Sequence, residues 1–220
     1  MPAFHIGPRS TPQVIKVLIW ITVIVSILSP MITFSFHYFF GKLGPSQLLS
    51  LSFFGIKQGY LWQFLTYFFL QSSGVGISLG LLISLFFYMF LLWFAGSELV
   101  FRFGSLQFLY LYLGGGIFAG LIGMLVAWMG SSYLMLATSG PAAYAVLVGW
   151  CMLFPEFQLA LFFVIRMKAK WLVLIILGLS LLSSLSYGDG VPFFTTLAGI
   201  IWGYLFSLIV WKLPTPFQRK

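Results

Sequence analysis

Only three acidic residues, Glu98, Glu156 and Asp189, occur in 220 residues, and charged side chains make up 6% of the chain. Soluble domains carry about 25% charged residues, so an ordinary water-exposed surface is excluded. Three scattered carboxylates are too few to build a calcium cage or a paired-carboxylate active site, which argues against metal-assisted hydrolysis and glycosidase chemistry. Cysteine is nearly absent as well. The single Cys151 excludes an intrachain disulfide, and its apolar neighbours Met152-Leu153-Phe154 predict a buried thiol. No cofactor motif and no metal-ligand cluster is legible.

What the chain has in quantity is apolar surface: 61% of residues are hydrophobic, 20% are aromatic and the mean hydropathy is +1.07. Such a composition identifies an integral membrane protein. The formal charge of +8 would suggest nucleic acid in a soluble protein. Here the bases are spread thinly between long apolar runs, so nucleic acid is not an expected partner and the charges report topology instead. The first residues, with Pro2, Gly7, Pro8 and Arg9, lack the pattern of a removable signal peptide and read as a short tail.

About 20 apolar residues are needed for a helix to cross the roughly 30 Å hydrocarbon core. Six runs meet or approach that length: Val14 to Tyr38, interrupted by Ser29-Pro30, then Ile77 to Ala95, Leu106 to Met129, Ser139 to Pro155, Trp171 to Ser186 and Pro192 to Trp211. Their uniform apolarity predicts a helix bundle, not a β-barrel. Between the first two runs lies Gly41 to Ser73, aromatic yet punctuated by Gly, Pro, Lys and Gln. Leu61 to Leu70 is short for a seventh span, and an embedded or interfacial loop fits it better. The expected organisation is therefore a tail over residues 1–13, a transmembrane domain over 14–212 and a basic tail over 213–220.

Six spans place both termini on one side. That side collects nine bases (Arg9, Lys16, Arg102, Arg166, Lys168, Lys170, Lys212, Arg219 and Lys220) against Lys42 and Lys57 opposite, so the positive-inside rule makes both termini cytoplasmic. Gly116 with Gly120, and Gly199 with Gly203, are small-xxx-small pairs expected to let backbones approach closely. No internal repeat is evident, which weighs against a secondary transporter built from matched halves.

Several landmarks occur in a telling order. Trp62-Gln63 stands in the first loop; Trp93-Phe94-Ala95-Gly96-Ser97-Glu98-Leu99 leads into Arg102-Phe103-Gly104-Ser105 between the second and third spans; Ala137-Thr138-Ser139-Gly140 opens the fourth; Thr195-Thr196-Leu197-Ala198-Gly199, followed by Gly203, opens the sixth. Together they resemble the rhomboid family of intramembrane serine proteases over roughly residues 14 to 212. The resemblance implies an all-α, six-transmembrane-helix rhomboid-like bundle with an embedded first loop. It also implies Ser139 as the candidate catalytic nucleophile, matching the last two positions of the Gly-x-Ser-Gly motif. In the register that aligns Gly96, Ser84 and Tyr88 fall where the family carries the His and Asn that assist the oxyanion. An alternative register puts Pro141 in the nucleophile slot.

The chemistry implied by the family needs a base beside the serine, because a hydroxyl at its free pKa is a weak nucleophile. At the position of the family's catalytic His this chain has Thr196, which accepts no proton near neutral pH. Gln63 stands in place of an Arg, and Ala137 in place of the motif's first Gly. His5 belongs to the tail on the opposite side, whereas His37 ends the first span on the same side as Ser139 and reads as an interfacial residue. A Ser-Lys dyad has no lysine to use. Glu98 and Arg102, four residues apart, have the spacing of a helical ion pair. Gln63, Gln71, Ser139, Thr195 and Thr196 are expected to gather around a small polar pocket.

The expected function is a rhomboid-like pseudoprotease that binds transmembrane segments of client proteins within the lipid bilayer, as the resemblance to non-proteolytic members such as the derlins implies. Two alternatives stay open: an active intramembrane serine endopeptidase in which Ser139 works with His37 or water as an atypical base, and a small transporter or channel.

Overall fold

The computed structural model describes residues 10–40, 44–71, 76–130, 134–155, 157–161 and 165–213. His5, Lys42, Glu156 and most of both tails lie outside them. Ten α-helices are present among the described residues: α1 (Gln13–Phe40), α2 (Pro45–Leu49), α3 (Phe53–Lys57), α4 (Gln63–Thr66), α5 (Leu79–Leu91), α6 (Ser97–Phe103), α7 (Ser105–Gly130), α8 (Gly140–Leu153), α9 (Ala169–Tyr187) and α10 (Val191–Ile209). Two short antiparallel strand pairs accompany them. β1 (Leu51–Ser52) pairs with β2 (Met135–Leu136), and β3 (Gln158–Leu161) pairs with β4 (Ile165–Lys168) in the connection between α8 and α9.

Four stretches, Gln13–Phe39, Leu79–Phe103, Ser105–Gly130 and Val191–Ile209, are long and apolar enough to cross a membrane, and α8 and α9 are shorter apolar helices. The brevity of α8 has a physical reason. At about 1.5 Å per residue its 14 residues rise only about 21 Å, short of the hydrocarbon core. Every residue of α8 except Tyr144 is buried, so the helix meets protein on nearly all sides and has no lipid thickness to match. It is the central helix of the bundle.

The second span runs further than its hydropathy suggests. The sequence expectation ends it at Ala95, but the helix passes through a wider π-type turn at Leu92–Gly96 and continues as α6 to Phe103. It stops at Gly104, whose φ of +85° suits a residue without a side chain. Within the turn, Gly96 lies against α1 and α7, where an added Cβ would come 2.9 Å from Ile15 and 3.2 Å from Phe108. Glu98 and Arg102 sit in the first and last turns of α6 and form no ion pair with each other, contrary to their spacing. Helix α1 is continuous through Pro30.

Side-chain contacts gather four helix ends at one end of the bundle. The Trp93 indole N–H donates to Thr11 Oγ1 at 3.0 Å, the Trp211 indole N–H donates to Gln107 Oε1 at 2.7 Å, and the Phe103 and Trp211 rings stack with centroids 4.0 Å apart. The start of α1 and the end of α10 therefore share that end.

The glycine pairs are packing sites, with different partners. On α10, a Cβ at Gly199 would lie 2.3 Å from the Pro141 carbonyl oxygen and one at Gly203 would lie 2.5 Å from that of Ala145, so α10 meets α8 backbone to backbone. On α7, Gly116 and Gly120 face the Phe68 and Tyr67 rings of the first loop, which a Cβ would approach to 2.6 and 3.0 Å.

Candidate functional site

The first loop is tied into the bundle by hydrogen bonds of named side chains. Gln63 is 1% exposed. Its Oε1 accepts from the Ser52 N–H at 3.1 Å and its Nε2 donates to the Leu48 carbonyl at 3.1 Å. Gly55 is there because any Cβ would fall 2.3 Å from that amide. Thr66 Oγ1 donates to the Leu49 carbonyl at 2.8 Å, and the Tyr67 hydroxyl donates to the Gly116 carbonyl of α7 at 2.6 Å. Gln63 is thus a staple inside the loop, not the pocket residue its polarity suggested, because the buried backbone groups around it need partners.

The loop's far end reaches the start of α8. Ser139 is the N-cap residue of α8 and is wholly buried. Its hydroxyl donates to Gln71 Oε1 at 2.8 Å, and its N–H points to the same oxygen at 3.3 Å. The capping role passes to the neighbouring Thr138, whose Oγ1 accepts from the Gly140 N–H at 3.1 Å. The β1–β2 pairing of Leu51 with Leu136 holds the chain three residues upstream of Ser139 against the same loop.

Beside this junction, between α5, α8, α9 and α10, lies a cavity of about 510 Å³, within the size range of ligand pockets. Its polar lining consists of hydroxyls: Tyr88, Thr138, Tyr144, Ser180, Ser183, Thr195 and Thr196. Among the described residues no charged side chain lines it. Thr138 and Gly140, on either side of Ser139, face the cavity, whereas the Ser139 side chain turns away to Gln71. Of the five residues expected to gather there, Thr195 and Thr196 do; Gln63, Gln71 and Ser139 belong to the loop junction.

Inside the cavity the Tyr88 and Tyr144 hydroxyls are 3.2 Å apart with their rings edge to face. Tyr88 comes so close to the start of α8 that a Cβ at Gly140 would lie 2.9 Å from its oxygen. Ser84, one turn earlier, donates to the Gly80 carbonyl of its own helix at 2.8 Å. Thr195 likewise donates within α10, to the Val191 carbonyl at 2.9 Å. Thr196 is 7% exposed and lines the cavity. His37 stands exposed in the last turn of α1, one turn past Thr33, whose Oγ1 accepts from the Ser46 N–H at 2.9 Å.

Residue patterns missed Tyr144, Ser180 and Ser183. A signal for the α9 contribution was present: Ile176, Leu179, Ser180 and Ser183 recur at helical spacing and all line the cavity.

A family model described as the Rhomboid domain matches residues 58–213. No curated protein matches the chain as a relative. The matched stretch begins in the first loop, includes the Ser139 junction and the cavity, and extends past α10, so the hydroxyl-lined cavity and the buried serine beside it are features of a chain that belongs to the rhomboid family.

Proposed function

We propose that this rhomboid-family membrane protein is a pseudoprotease that binds transmembrane segments of client proteins in the cavity between α5, α8, α9 and α10. The observation that carries the reading is the partner of Ser139. A carboxamide oxygen accepts a hydrogen bond but takes no proton at neutral pH, so Gln71 holds the hydroxyl without activating it. The position of the family's base is Thr196, and a threonine there leaves no group to receive the proton of an attacking serine.

A cavity lined by hydroxyls and apolar side chains suits a client helix that carries its own polar residue. In lipid such a residue finds no water, and a hydroxyl on a facing helix satisfies it, typically for about 0.6 to 2 kcal/mol. Among the described residues the cavity lining carries no charge, which keeps the cost of apolar client surfaces low.

The same reading assigns residues 14–212 to the rhomboid-like transmembrane domain, flanked by cytoplasmic tails over 1–13 and 213–220. The shared location of Thr11 and Trp211 at one bundle end, together with the nine bases counted on that side, supports this orientation.

The test is labelling of the purified, monodisperse protein with a fluorophosphonate probe, beside Ser139→Ala and an active rhomboid. The reading expects no labelling of the wild-type chain while the control reacts. Labelling abolished by Ser139→Ala would establish an activated serine and the endopeptidase alternative. The client half is tested by a photo-crosslinking residue at Ser183 in the cavity. It is expected to capture transmembrane peptides carrying a central Asn in preference to all-Leu peptides, with no preference from a crosslinker at the exposed Trp20 of α1.

A further inference from the structure

Within the hydroxyl-lined cavity, two side chains bond each other instead of the backbone. The Ser180 hydroxyl donates to the Pro192 carbonyl at 3.3 Å and the Thr195 hydroxyl to the Val191 carbonyl at 2.9 Å, so each uses its proton inside the fold. Tyr88 of α5 and Tyr144 of α8 instead meet oxygen to oxygen at 3.2 Å. A phenol carries one donor proton and acceptor lone pairs. The bond between the two uses one proton, whichever ring supplies it, and leaves the other proton beside the lone pairs of its neighbour. A donor and an acceptor therefore stand side by side on the cavity wall.

Packing holds both oxygens in place. The two rings lie edge to face with centroids 5.7 Å apart, and the Tyr88 oxygen abuts the start of α8, 2.9 Å from where a Cβ on Gly140 would lie. Helix α5 sets their depth. Tyr88 stands three residues from residue 91, the midpoint of the apolar stretch Leu79–Phe103, a rise of about 4.5 Å. The pair thus sits near the middle of a span, where a polar group finds no bulk water and must be satisfied by another side chain.

We infer that the Tyr88–Tyr144 pair determines the specificity of this cavity and reads a carboxamide, the side chain of Asn or Gln, near the centre of a client transmembrane helix. The inference rests on the reading of the cavity as a client-helix site. A carboxamide carries an acceptor oxygen and a donor nitrogen on one carbon. Its oxygen accepts the free phenol proton and its N–H donates to the other phenol oxygen, closing a ring of three hydrogen bonds with the one the tyrosines already share. An ester offers the acceptor alone and an apolar side chain offers neither. A carboxylate or ammonium would bring a charge that meets no counter-charge among the described lining residues.

Photo-crosslinking from position 183 of the full chain tests the assignment, with transmembrane peptides of about 20 residues offered in competing pairs. The ratio of the two products is then independent of how much protein is folded. A hydrogen bond between helices in a membrane is worth about threefold on average. A central Asn should be captured ahead of Leu, and replacing it by the methyl ester of Asp, which keeps the acceptor and removes the donor, should lower that preference about threefold. Tyr88→Phe and Tyr144→Phe keep the rings and should each lower the Asn preference about threefold, and together about ninefold. Ser84→Ala, one turn from Tyr88 and bonded to Gly80 within its own helix, should leave it unchanged. Moving the Asn from the centre to the end of the peptide should abolish it. An Asn preference that survives both Phe variants, extends equally to the ester or ignores the position of the Asn overturns the inference and leaves the client reading standing. Capture of no peptide at all removes both.

Discussion

The Ser139 hydroxyl donates to Gln71 Oε1 at 2.8 Å, across 68 residues of sequence and between the end of the first loop and the start of α8. The contact closes the loop onto the central helix and commits the hydroxyl as a donor to an amide. One hydrogen bond both fastens the loop and occupies the serine's proton.

On the proposed reading, placing a base at position 196 should not activate Ser139 by itself. Thr196→His supplies an imidazole on α10, but the Ser139 hydroxyl stays directed at Gln71. The variant is expected to remain unlabelled by fluorophosphonate at pH 7 to 8. Labelling of Thr196→His at the level of an active rhomboid would show that the Gln71 contact yields readily.

Gln71→Ala should destabilise the protein by roughly 1–3 kcal/mol, because the buried Ser139 hydroxyl loses its acceptor. Detergent-phase thermal unfolding measures this. The double variant Gln71→Ala with Ser139→Ala should recover part of the loss, since no unsatisfied hydroxyl then remains; a double variant as unstable as the sum of the singles would deny the coupling.

Gln63→Leu removes the side-chain partner of the Ser52 N–H and leaves the Leu48 carbonyl only the longer bond from the Trp62 indole N–H at 3.4 Å. Roughly 1–3 kcal/mol of stability should be lost. Limited proteolysis should then cut first within residues 44–71. Cleavage confined to the α8–α9 connection would show that the loop is held by other contacts.

Two glycine substitutions form a controlled pair. Gly199→Ala drives a methyl to 2.3 Å from the Pro141 carbonyl and should cost about 1–3 kcal/mol through forced separation of α8 and α10. Gly178→Ala, on α9 with no heavy atom within 4 Å of the added Cβ, should be neutral or stabilising by up to about 1 kcal/mol. Unfolding temperatures that change equally would refute the close helix contact.

Much of the architecture was legible in local sequence. The six apolar runs match helices to within a few residues, except at the second, which continues through the π-type turn to Phe103. That extension was hidden because Gly96, Ser97, Glu98 and Arg102 lower the hydropathy where the helix persists. Gly199 and Gly203 announced close packing, and Cys151 is buried as its neighbours implied. The polar residues were harder to place. Gln63 and Gln71 looked like pocket residues, yet each serves a buried hydrogen-bonding group of the loop or of the α8 cap.

Hydropathy, residue size and the identity of residue 196 belong to single positions and their near neighbours. By itself, therefore, the sequence determined a membrane-embedded bundle, glycine-mediated helix contacts and the absence of a base at position 196. Tertiary structure alone decided where the hydroxyls point. Ser139 can face the cavity or the loop from the same place at the start of α8, and its direction depends on a glutamine delivered by a chain path of 68 residues. A hydrogen bond is made by distance and angle, over a few ångströms, and a linear sequence holds neither for residues so far apart.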